Sequence, residues 1–216
     1  MKLWGRGGRM NQSGFRRSTF RGKAALLAAL LLSSLAYGQD YYSMQEVRVS
    51  GLPSLMAKTK DPADVLLTSL DTVVHDREIC CGRDSALEDS ARRADPTSLK
   101  DVASKLQGRH LLNDGRPIQV VADYTEAPAI NSGGLIAAIR GQHALLFDWN
   151  THLYVLYGVT YLQTVDNTDG TITYSIQNLL LIDPRYSGPK REVVFHRETD
   201  DWGQVRGMLQ LSITRP

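Results

Sequence analysis

Three side-chain types in this chain are placed to do acyl-transfer chemistry together: a thiol, an imidazole and a carboxylate. His152 opens an almost wholly apolar run, Leu153 to Val159, and Asp183 closes a second one, Ile176 to Ile182, where Pro184 has no N–H to continue a ladder. Two neighbouring strands then carry an imidazole and a carboxylate at their ends. A carboxylate on one ring nitrogen fixes the tautomer and leaves the other nitrogen to act as a base. The nucleophile must come from the only two cysteines, Cys80 and Cys81. Cys81 is followed by Gly82 and a run of helical character, and a helix N-terminus favours a thiolate. Gly82 lets a carbonyl approach closely, and a backbone N–H beside the thiol can serve as an oxyanion donor.

The elements that must position these residues follow from the patterning. Both alternating faces of Leu153 to Leu162 are apolar, as in a central strand covered on both sides. Upstream, Asp61-Pro62 reads as an N-cap with Pro at the first helical position, followed by Val65, Leu66, Leu70 and Val73 on one side. A second helix is expected from about Cys81-Gly82 to Arg93, with Ala86, Leu87 and Ala91 inward. A third starts at Ser98-Leu-Lys-Asp101, a capping-box-like signal, and ends at Gly108. After Gly115 the period shifts. Strands are expected at Glu46–Val49, Ile118–Val121, Gln142–Phe147, His152–Gln163, Thr171–Ile182, Glu192–Phe195 and Val205–Ile213, with a short helix at Asn131–Arg140. Asp166 to Gly170 is a turn. Helices first and an antiparallel sheet second make an α+β layout, with the cleft between the two halves.

Composition bounds the function. The 216 residues carry 25 Lys+Arg and 23 Asp+Glu, a net of +2. Residues 1–38 hold seven basic residues and no acid, an apolar stretch from Ala24 to Ala36, and the small-x-small pattern Ala36-Tyr37-Gly38, together the signature of a secretory signal peptide. The stretch is too short for a comfortable bilayer span, so no stable membrane anchor is expected after cleavage. Without it Lys+Arg falls to 18 and the net charge to about −5, which gives no footprint for nucleic acid. Export to the periplasm or the extracellular space is the expected destination. Residues 39–60 read as a polar lead-in that packs against one domain, 61–216, since about 178 residues suffice for a single core. No cofactor is called for. A zinc site from His75, His143, His152 and His196 has no ligand spacing to recommend it. Adjacent cysteines make a poor staple, because a vicinal disulfide closes only a small strained ring. Both thiols are expected reduced, with Cys80 packed inward and Cys81 facing the cleft.

Cys-Cys-Gly-Arg-Asp-Ser-Ala-Leu at 80–87, Leu135 to Gly141, the following strand, His152-Leu-Tyr-Val-Leu-Tyr-Gly-Val159 and Leu181-Ile-Asp-Pro184 resemble, in order and spacing, papain-like cysteine peptidases of the bacteriocin-processing, double-glycine-type group. The likeness spans roughly residues 62 to 195. It implies a papain-like fold, a helical half packed on an antiparallel sheet, with Cys81 as nucleophile, His152 as general base and Asp183 as its orienting partner. The substrate it implies is a peptide or protein. That superfamily usually has a Gln about six residues before the nucleophile; here His75 stands there, and with Gly82 it is the candidate oxyanion donor. Asp84, Glu88 and Asp89 add negative charge around the thiol. These departures keep a second reading open, a peptidase-like fold that binds a peptide without cutting it.

Overall fold

A computed structural model describes residues 40–74, 76, 79 and 86–215. Cys80, Cys81, Gly82, His75 and the leader all lie outside the described residues. The chain divides into two units. The described part of the smaller unit is Asp40, Tyr41 and the Val165–Thr171 turn, closed by Asp166 N–H on the Thr171 carbonyl and Gly170 N–H on the Asp166 carbonyl, with Gly170 at φ +74°. The larger unit, residues 42–164 and 172–216, contains the sheet and the candidate site.

The larger unit is mixed α+β with one eight-stranded antiparallel sheet. Its strands are β1 (Tyr41–Arg48), β2 (Gly108–Leu111), β3 (Pro117–Glu126), β4 (Leu145–Trp149), β5 (His152–Val165), β6 (Ile172–Ile182), β7 (Glu192–His196) and β8 (Val205–Thr214). They lie in the order β2-β3-β8-β4-β5-β6-β7, with β1 added alongside β5. The helices are α1 (Pro62–Val74), α2 (Glu88–Arg92), α3 (Leu99–Leu106) and α4 (Ser132–Arg140). None of the helices among the described residues is long and apolar enough to cross a membrane.

The helix starts follow from capping. Asp61 accepts from the Ala63 N–H at 2.9 Å, and Pro62 occupies the position whose N–H would be orphaned in any case. Val65, Leu66 and Leu70 are buried on α1, and Ser69 and Thr72 are tolerated beside them because their hydroxyls donate to the Val65 and Thr68 carbonyls. Ser98 caps α3 by accepting from the Asp101 N–H, while the Asp101 carboxylate accepts from the Asp95 N–H at 2.7 Å. Asn131 caps α4 through the Gly134 N–H.

Three elements depart from the sequence reading, and a fourth is described only in part. Among the described residues the second helix is Glu88–Arg92, and its expected start at Cys81-Gly82 lies outside them. The Leu87 N–H just ahead of it donates to the Ile79 carbonyl at 3.0 Å. The strand expected from Gln142 begins at Leu145, because residues 141–143 finish α4. His143 N–H donates to Ala138 and Gln142 N–H to Ile139, with Gln142 at φ +63°, a Schellman termination made without glycine. Gly108 opens β2 rather than merely ending α3. Finally, the 39–60 stretch contributes β1 to the sheet, and its remainder straps the far end of β6: Arg191 donates to the Ser54 hydroxyl and the Pro53 carbonyl, and the Ala57 N–H to the Pro184 carbonyl.

Candidate functional site

The β4–β5 connection sets the site. Trp149 and His152 are register partners, so only Asn150 and Thr151 turn the chain, at φ +50° and +62°. Two consecutive left-handed residues are what a two-residue type I′ hairpin needs, because its twist matches that of the strands. Asn tolerates this conformation; Thr, branched at Cβ, does so at a cost. The turn delivers His152 to the head of β5, where its side chain is exposed while Tyr154, Val155 and Leu156 immediately behind are buried.

β5 and β6 are neighbours running in opposite senses, so the start of one lies beside the end of the other. Asp183 therefore comes to the His152 end of the sheet, as the sequence pattern required. It is 3% exposed. Its backbone N–H donates to the Arg191 carbonyl, continuing the β6–β7 ladder by one residue, and the chain then turns back sharply. Within that turn the Asp183 carboxylate accepts three bonds from one residue. Arg185 N–H and Nε reach Oδ1 at 3.0 and 2.8 Å, and Nη2 reaches Oδ2 at 2.6 Å.

This geometry changes the role assigned to Asp183. The carboxylate was expected to hold the His152 ring, but both of its oxygens engage Arg185. Among the described residues no hydrogen bond joins Asp183 to His152. Their coupling is through space only, and Arg185 opposes it. Partial burial pulls the His152 imidazole below its ordinary range, the Arg185 cation pulls the same way, and Asp183 pulls less strongly back. The first two pulls favour the neutral form of the ring. Arg185 is in turn held firmly cationic, first by its bonds to Asp183. Its guanidinium also lies over the Tyr154 and Tyr186 rings, at 5.7 and 5.9 Å.

His152 and Arg185 line a cavity of about 280 Å³. The opposite wall comes from the helical half: Lys60 and Pro62 at the entry to α1, Val65 on its first turn, and Pro96-Thr97 ahead of α3. The expected cleft between helices and sheet is thus present at the His152 end. Lys60 Nζ sits 4.8 Å from the centre of the Tyr186 ring, so that ring carries a cation from each wall. Neither Lys60 nor Arg185 was singled out by sequence. The basic residue two after Asp183, in an Asp-Pro-Arg turn, was the available signal.

The remaining sequence candidates fall outside this cluster or outside the described residues. Cys81, the expected nucleophile, and His75 and Gly82, the expected oxyanion donors, belong to the latter. His196 donates from Nδ1 to Asn178 Oδ1, 2.8 Å away on β6, and His143 is exposed beyond α4. Among the described residues no three His, Cys, Asp or Glu side chains gather as a metal site would require. No protein-family model and no curated protein matches the chain.

Proposed function

We propose that this chain is an exported, papain-like thiol hydrolase or acyl-transfer protein acting on a peptide-type substrate. The observation that carries the reading is the exposed imidazole of His152 at the rim of a cavity lined from both the helical half and the sheet. A base must be open to its substrate and able to take a proton, and burial and Arg185 bias this ring toward its neutral form. In this reading the Cys81 sulfur attacks a peptide carbonyl carbon and its proton passes to His152. The C–N bond then breaks as His152 returns that proton to the leaving amine. Water releases the acid from the thioester and restores the thiol. Asp183 acts on His152 through space, and the Arg185 cation opposes it. A peptide-library cleavage assay on the chain tests this: cleavage that disappears in Cys81→Ser supports it, and cleavage that Cys81→Ser leaves intact rejects it.

A second reading is favoured by the Asp183–Arg185 pair itself. A base whose orienting carboxylate is fully engaged elsewhere lacks the fixed tautomer that efficient turnover uses. A peptidase-like fold that holds a peptide without cutting it accounts for that arrangement. Absence of cleavage together with measurable peptide binding selects this version.

A further inference from the structure

The His152 cavity is rich in cationic side chains. Lys60, His152 and Arg185 line it together with Thr97 and Thr151, and no acidic residue is among the described residues that line it. Asp61 and Asp95, next in sequence to lining residues, are engaged by the Ala63 and Thr97 N–H groups, and Asp183 is buried and engaged with Arg185 through Nε and Nη2. The other guanidinium nitrogen, Nη1, makes no hydrogen bond within the described residues, and Lys60 forms no ion pair there. Both cations are drawn to one aromatic ring, Tyr186, from opposite walls. Two cations brought to one ring, one of them already paired with Asp183, leave donors that an anion completes.

We infer that this cavity receives a carboxylate of the bound peptide, held between Lys60 and Arg185 beside His152. Arg185 suits the role because its fork to Asp183 fixes the guanidinium plane before any ligand arrives, so little freedom is lost on binding. Lys60, exposed and on a flexible stem, closes on the anion from the helical side. The volume admits a carboxylate with a short side chain or a terminal residue. The carboxylate comes either from a peptide C-terminus or from an acidic side chain, since both present the same two oxygens. The inference rests on the reading of this cavity as the peptide site, though not on turnover.

The test uses the full chain carrying Cys81→Ser, so that binding is read without reaction. Four probes are titrated by calorimetry at low and high salt: acetyl-trialanine as free acid and as amide, and acetyl-Ala-Asp-Ala-amide against its Asn counterpart. At low salt at least one carboxylate probe is expected to bind about tenfold more tightly than its neutral isostere. The pair that shows the ratio names the source. Lys60→Gln removes most of that ratio, and so does Arg185→Gln. Because Arg185→Gln strands a buried carboxylate and can unfold the chain, Lys60→Gln at an exposed position is the deciding variant. Equal binding within both pairs, or a preference that survives Lys60→Gln, overturns the inference. Cleavage of neutral peptides with no carboxylate preference would leave the hydrolase reading standing and this one rejected. A carboxylate preference without any cleavage would do the reverse.

Discussion

Asp183 and Arg185 are two residues apart in sequence and share a two-pronged bond at the end of β6, Nε to Oδ1 at 2.8 Å and Nη2 to Oδ2 at 2.6 Å, with the carboxylate almost wholly buried. A buried pair of this kind contributes little net stability over an apolar replacement, but removing one partner leaves an uncompensated charge. Arg185→Ala is therefore expected to destabilise the chain by about 3–5 kcal/mol in urea unfolding. The double variant Arg185→Met, Asp183→Leu should recover most of that loss. A single-variant cost below about 1 kcal/mol would mean that Asp183 finds another partner.

The imidazole of His152 should titrate below its usual midpoint of 6.5, because burial and Arg185 both disfavour its charged form. Its folded value lies below its unfolded one. The associated stability is thus fully present above the unfolded midpoint and is lost as pH falls through the window beneath it. Following the His152 ring proton by NMR checks the direction. In Arg185→Gln the midpoint should move upward, since the cation is gone and Asp183 is released. A downward or absent shift contradicts the placement of Arg185 beside the ring.

Thr151 at φ +62° supplies a separate expectation. Left-handed backbone costs a β-branched residue about 1 kcal/mol or more relative to glycine. Thr151→Gly should raise stability by about 1 kcal/mol while leaving the hairpin register intact. Since Thr151 lines the cavity, the same variant should weaken carboxylate binding. Denaturant melts and the binding titration separate the two effects.

Gly207 on β8 is required for a different reason. A Cβ there would lie 2.6 Å from the Thr125 carbonyl oxygen and 2.8 Å from the Tyr124 ring. The first contact is backbone and cannot swing aside, so Gly207→Ala should cost about 1–3 kcal/mol. A thermal melt unchanged by the substitution would show that β3 and β8 can part locally without loss.

How far the sequence disclosed the site depends on which residue is considered. His152 and Asp183 were legible because each punctuates a long apolar run, and antiparallel neighbours bring such ends together. The starts of α1 and α3 were legible from Asp61-Pro62 and Ser98, whose caps are local chemistry. The strand at Gly108–Leu111 was not, being four residues long with two consecutive polar residues, Arg109 and His110, and its stability supplied by pairing to β3. The end of α4 at Arg140 was legible, but β4 was started three residues early because Gln142 takes a conformation usually left to glycine. The Arg185 fork was missed since nothing in a one-dimensional pattern says that Asp183 spends both oxygens on a residue two places away. Lys60 was hidden in a stretch with no periodicity at all.

The two thiols should behave differently. The sequence reading places Cys80 inward and Cys81 toward the cleft, both reduced. Cys80→Ala should lower stability by roughly 1–2 kcal/mol and preserve any activity, whereas Cys81→Ala should spare stability and remove activity. Intact mass with and without alkylation, under non-reducing conditions, reports the redox state; a bonded pair would contradict it.

The most direct test of the account is the alkylation rate of Cys81, measured in a Cys80→Ala background so that one thiol is read. An activated thiolate paired with His152 should react faster than a free thiol near neutral pH, and His152→Ala should return the rate to that of the free thiol. A Cys81 that reacts no faster than a free thiol, at a rate indifferent to His152→Ala, would contradict the assignment of a catalytic dyad to this site.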